Sequence, residues 1–127
     1  MKGNKGEWSE LYTLFKLAAD GRLYAADADT NKIDTIYYDI LKIIRSQKDG
    51  NWQYIRNGNI KVIAESSGTE VATIPISEFE ENAELLLSSI KAVKSKDGSF
   101  EVPDIESFIS KIKCNTPKAK SSDKADI

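Results

Sequence analysis

Trp52-Gln53-Tyr54-Ile55-Arg56-Asn57-Gly58-Asn59-Ile60-Lys61-Val62-Ile63-Ala64-Glu65 decides the fold. Two runs rich in β-branched and aromatic residues flank an Asn-Gly pair, and the ease with which that pair takes positive φ makes it the strongest short-range hairpin signal. After Ser66-Ser67-Gly68, residues 70–74 read as a third strand, so a three-stranded antiparallel meander is expected here. Helices are expected on both sides of it. Upstream, Trp8, Leu11, Phe15 and Ala18 recur at helical spacing through residues 7–19, and Asp20-Gly21 ends the stripe with a glycine suited to a left-handed C-terminal position. Residues 22–26 read as a short extended piece and residues 27–31 as a polar loop. Ile33, Ile36, Tyr37, Ile40, Ile43 and Ile44 then predict a second helix reaching about Gln47, against the cost of so many β-branched side chains.

Downstream of the meander, Ser77 with Glu80 makes a capping box, and Phe79, Ala83, Leu86, Leu87 and Ile90 give one apolar face to a helix ending near Lys94. Lys96-Asp97-Gly98-Ser99 reads as a turn. Pro103 suits the first turn of a last helix, with Ile105, Phe108, Ile109 and Ile112 on its buried side. The fold class is therefore mixed α/β (α+β): helices packed on a small antiparallel β meander over residues 1–113, followed by a lysine-rich segment over residues 114–127.

Composition narrows the function. The 127 residues make one ordinary domain, 40% hydrophobic and 30% charged, with enough apolar surface for a core. Eighteen Lys and Arg against twenty Asp and Glu leave a net charge of -2, so any nucleic-acid contact has to come from a local patch. One cysteine, Cys114, and no histidine exclude disulfide frameworks, the usual zinc sites, Ser-His-Asp triads and Cys-His dyads. Catalysis, if present, falls to carboxylates and lysines. No apolar run is long enough for a membrane span, and Met1-Lys2-Gly3-Asn4-Lys5 leads into charged residues where a signal peptide has its apolar stretch, so a soluble, cytoplasmic protein is expected.

Two carboxylates, Glu7 and Glu10, stand three residues apart at the start of the first helix. By spacing alone they complement the helix dipole and the free first-turn amides. A metal site would need a partner from a distant part of the chain, because Mg²⁺ usually takes one or two protein carboxylates with water and phosphate oxygens. Asp123 and Asp126 are the candidates, although a solvated tail accounts for both by composition. Arg56 and Asn57 at the hairpin are candidate groove probes, since Arg and Asn read guanine and adenine edges; turn chemistry accounts for the asparagines equally. Lys120 and Lys124 are candidate phosphate contacts.

Lys5-Gly6-Glu7-Trp8-Ser9-Glu10-Leu11-Tyr12, then Lys16-Leu17 and Asp20-Gly21-Arg22-Leu23-Tyr24-Ala25-Ala26-Asp27, resembles the amino-terminal signature of the HpaII-type restriction endonucleases. Thr73-Ile74-Pro75-Ile76-Ser77-Glu78-Phe79, Ala83-Glu84-Leu85-Leu86-Leu87 and the stretch from Ile112-Lys113-Cys114 to Asp126-Ile127 are similar to that family in order and spacing. The resemblance implies a type II enzyme of the PD-(D/E)-x-K nuclease superfamily that cuts double-stranded DNA at a short palindrome, CCGG in the namesake, with Mg²⁺ and as a homodimer. It implies that Glu10, four residues after Gly6, is the first-helix glutamate, with Glu7 second, and that Asp126 is the strand-start aspartate, preceded by Ala125 where the nominal motif has proline. It further implies that residues 114–127 lead into the first catalytic strand and that the strand with the catalytic lysine comes next, so a truncated chain, inactive alone, is expected. The other reading is a non-catalytic module of the same enzyme for DNA docking or dimerisation.

Overall fold

Gly58 takes φ +74°, the turn conformation the Asn-Gly pair announces, and joins strands β4 (Gly50–Asn57) and β5 (Asn59–Ala64) of the computed structural model. The structure describes residues 1–93, 98–114 and 124–126, the last three by backbone alone. Strand β6 (Thr69–Ile74) returns antiparallel on β5, with a register shift between Val62 and Ile63. The expected meander is therefore present. Its other edge is extended by β3 (Lys42–Gln47), paired antiparallel with β4, and by β7 (Lys124–Asp126), paired antiparallel with β3, giving the order β6-β5-β4-β3-β7.

β3 corrects one expectation. Residues 33–47 are not a helix: they form β2 (Lys32–Asp39), which pairs with β1 (Arg22–Ala26) in a separate two-stranded ribbon, and then β3. Ile33, Thr35, Ile36, Tyr37, Tyr38, Ile40, Ile43 and Ile44 lose side-chain freedom in a helix and little in a strand. The i, i+3, i+4 recurrence of isoleucine was dense enough to satisfy either period. Ile36 is 53% and Tyr37 40% exposed, which no packed helical stripe would allow. Between the strands, buried Ile40 donates its amide to the Gly21 carbonyl at 2.9 Å, tying the ribbon to the end of the first helix.

That helix, α1 (Lys5–Asp20), begins with a capping box the sequence reading did not name. Asn4 Oδ1 accepts from the Glu7 amide at 2.9 Å, and Glu7 Oε1 accepts from the Asn4 amide at 3.0 Å. Gly21 closes it at φ +69° in the left-handed conformation. In α2 (Ile76–Ala92) the expected Ser77–Glu80 box is absent, because the cap position falls on Pro75 and Ser77 already lies inside the helix. A 3₁₀ turn at Pro103–Ile105 leads into α3 (Glu106–Lys111), as Pro103 announces. Of the expected 96–99 turn, Lys96 and Asp97 lie outside the described residues, as do 115–123 and 127.

The helices share one face of the sheet. Cα partners Ile43, Tyr54, Val62 and Ala72 form one row across β3 to β6, and these residues, with Ile60 and Ile74, contribute to one core with the helices. Ile44, Gln53 and Ile63 lie in the neighbouring row, on the other face by the period of two. Phe15, Phe79 and Phe108 meet edge to face with centroids 5.0 to 6.1 Å apart, and so lock α1, α2 and α3 together. Trp8 is fully buried and donates its indole N–H to the Phe100 carbonyl at 3.0 Å, while Gly3 and Phe100 pair as an isolated bridge beside it. Among the described residues no helix is long and apolar enough to cross a membrane.

Candidate functional site

Glu10 follows from the phase of α1. With Trp8 and Leu11 turned into the core, Glu10 falls on the exposed side, and no hydrogen bond or ion pair engages it among the described residues. Its carboxylate is an available oxygen donor. Glu7 is not equivalent, because its carboxylate is occupied by the Asn4 amide in the capping box. Asp126 is placed by backbone: it is the Cα partner of Lys42, on β7 at the sheet edge, and its side chain lies outside the described residues. No three Asp, Glu, His or Cys side chains converge as a metal cage among the described residues.

Arg56 is not at the hairpin tip. It lies one residue inside β4, half-buried, and its guanidinium reaches back to the end of α1, where Nε donates to the Ala18 carbonyl at 3.1 Å and Nη2 to the Ala19 carbonyl at 3.4 Å. A cation on the last carbonyls of a helix satisfies orphan acceptors and complements the dipole. The same approach explains Gly21 twice over, since a Cβ there would lie 2.5 Å from Arg56 Cζ in a backbone conformation that already disfavours a side chain. Replacing Arg56 with Met is therefore expected to cost about 1–2 kcal/mol in stability, read as a lower urea midpoint. Asn57 is exposed beside Gly58 at the tip and is the Cα partner of Asn59. Lys124 is the Cα partner of Ile44, and Lys120 lies outside the described residues.

Three buried polar residues were hidden by the helix reading of 33–47. Arg45, Ser46 and Gln47 are only 3%, 6% and 3% exposed at the end of β3. Arg45 Nε donates to Gln47 Oε1 at 3.4 Å, and Gln47 Nε2 donates to the Lys113 carbonyl at 2.7 Å. Next to them on β4, Tyr54, 1% exposed, donates its hydroxyl to the Ile112 carbonyl at 2.9 Å and lies 3.5 Å from Cys114 Sγ. Burial pushes the Tyr54 phenol well above its ordinary pKa and raises the Cys114 thiol, so both protons are retained across the neutral range. Lys113 takes φ +64°, a left-handed conformation that costs a side chain roughly 1 kcal/mol and that these bonds hold in place. An unbroken polar triplet on a core strand was the signal in the sequence, visible only once the segment is read as a strand.

A family model described as HpaII restriction endonuclease matches residues 4–127. The type II restriction enzyme HpaII of Haemophilus parainfluenzae is 45% identical over 125 residues, which is 98% of this chain and 34% of that protein. The chain thus spans about a third of the length of the curated relative it matches. No solved structure matches it.

Proposed function

The chain belongs to the HpaII restriction endonuclease family, and on that premise we propose that it is the amino-terminal part of a type II enzyme that hydrolyses double-stranded DNA at a short palindrome, CCGG as in the family's namesake, using Mg²⁺. One observation carries the reading: the family match extends over residues 4–127 and so includes both Glu10 and Asp126, at opposite ends of the chain.

The donor chemistry fits the ion. Mg²⁺ takes hard oxygen ligands, often one or two carboxylates completed by water and phosphate, and Glu10 offers an exposed carboxylate with no competing partner among the described residues. Glu10 and Asp126 are the residues that would hold it. When bound, the ion lowers the pKa of the attacking water and offsets the charge that develops on the phosphate. The chain's own contribution is positional. α1, anchored by Trp8, Leu11 and Phe15, presents Glu10 from a rigid element, and β3 templates the strand that carries Asp126. In this design a lysine on the strand that follows the aspartate orients the water, and with the chain spanning 34% of its curated relative, residues 1–127 alone are expected not to cleave DNA. A palindromic target implies a two-fold symmetric homodimer of the complete enzyme.

The test is to express this chain joined to the remaining sequence of a relative-length enzyme and to incubate it with plasmid DNA. Cutting at CCGG in Mg²⁺, abolished by a chelator and absent with residues 1–127 alone, is the expected result. Cutting that survives exhaustive chelation overturns the metal assignment, and cutting by residues 1–127 alone overturns the division of the site.

A further inference from the structure

We infer that Asn57 is a site of self-modification, its side-chain amide being lost without any enzyme through attack by the backbone nitrogen of Gly58. That nitrogen gives its proton to water or hydroxide and bonds to Asn57 Cγ. The bond from Cγ to the side-chain nitrogen breaks, ammonia leaves, and a five-membered succinimide closes. Water then opens the ring at either carbonyl. One product is aspartate; the other is isoaspartate, in which the main chain runs through Cβ. Water and hydroxide are the only co-reactants, and nothing is oxidised or reduced.

Three observations carry the assignment. Asn57 and Gly58 are both exposed at the tip of the β4–β5 hairpin, so water reaches the two reacting groups. Among the described residues, no hydrogen bond holds either the Asn57 side-chain amide or the Gly58 N–H. Gly58 has no side chain, and the rest of the protein leaves its surroundings open, with nothing within 4 Å of where a Cβ would lie. The other described asparagines lack this combination. Asn4 is engaged in the cap of α1, and Asn82 donates to the Glu78 carbonyl at 2.8 Å. Asn31, Asn51 and Asn59 precede Lys32, Trp52 and Ile60, whose side chains crowd the attacking nitrogen. Either product adds a negative charge to the tip. Isoaspartate also lengthens the main chain by one atom, at the point where Asn57 is the Cα partner of Asn59 and Arg56 of Ile60. A turn of fixed length sets the register of the strands it joins, so the isoaspartate form is the less stable product.

The experiment incubates the folded 127-residue chain at mildly alkaline pH beside a synthetic peptide of residues 52–65. Peptide mapping by mass follows the gain of one mass unit that comes with replacing an amide by an acid. Expected is a gain confined to Asn57, at a rate within about 10-fold of the peptide's, because an open tip adds little to the barrier. The rate should rise with pH, since the attacking nitrogen must lose its proton. The product should resolve into two species of equal mass, one of them eluting with the corresponding peptide of Asn57→Asp. The other, purified from the aged chain, should show a lower urea midpoint than Asn57→Asp. An Asn57 that stays intact in the folded chain while the peptide converts overturns the proposal, because the hairpin then holds the two groups apart. Equal gain at Asn51 or Asn59 overturns it as well, because Gly58 then confers no selectivity.

Discussion

In the complete enzyme, Glu10→Gln and Asp126→Asn are each expected to slow DNA cleavage on the order of 10³-fold at moderate Mg²⁺, about 4 kcal/mol of barrier. An amide matches a carboxylate in size and keeps one oxygen donor, but it removes the negative charge that would favour a divalent ion at the proposed site. The effect should fall on chemistry and spare DNA docking, so binding of an uncut duplex in Ca²⁺ is the control. Glu7→Gln sets the scale for a carboxylate already engaged in the helix cap. Glu7 closes the capping box on Asn4, a bond that a glutamine oxygen also accepts, so Glu7→Gln should cost only about 0.3–0.5 kcal/mol through the charge lost at the helix N-terminus and leave the cleavage rate near that of the parent. Single-turnover rates for the three variants separate the assignments: normal cutting by Glu10→Gln removes α1 from the site and leaves it a scaffold for DNA docking or dimerisation.

Phe79→Ala is expected to destabilise the 127-residue chain by about 3–5 kcal/mol, a large share of the roughly 5–15 kcal/mol that stabilises an ordinary domain. Phe79 is fully buried, with ring centroids 6.1 Å from Phe15 and 5.0 Å from Phe108, so truncation opens a cavity between three elements that a rigid sheet beneath cannot collapse to fill. The readout is a lower urea midpoint with an unchanged slope. Phe15→Ala should cost a similar amount, and the double variant less than the sum, because each truncation already removes the contact that the other ring uses. A midpoint shift worth less than about 1 kcal/mol for Phe79→Ala would show that the three rings do not form the keystone of the helical layer.

Local signals were legible wherever one short stretch determines one conformation. Asn57-Gly58-Asn59 demanded a turn, Gly21 demanded a helix end, Pro103 demanded a helical first turn, and each is found in that place. Residues 33–47 were not legible in this way. Ile33, Ile36, Tyr37, Ile40, Ile43 and Ile44 satisfy a helical period by count, while their branching and aromatic character favour strands, and pairing with β1 and β4 resolved the conflict. Arg56 shows the same limit at a single residue. Its position near an Asn-Gly turn suggested a probe of DNA, yet Ala18 and Ala19, distant in sequence, supply the carbonyls that engage it.

The amino-acid sequence by itself determined the class of fold, the hairpin at its centre, most of the buried helical faces and, through its resemblance at both ends, the family. Those are properties of residue type and near-neighbour spacing. Tertiary structure alone decided that Glu7 is a cap while Glu10 is available, that residues 33–47 pair as strands, and that Tyr54 and Gln47 reach the carbonyls of Ile112 and Lys113. Hydrogen bonds between groups 58 and 66 positions apart form only after the chain has collapsed, so no local pattern records them.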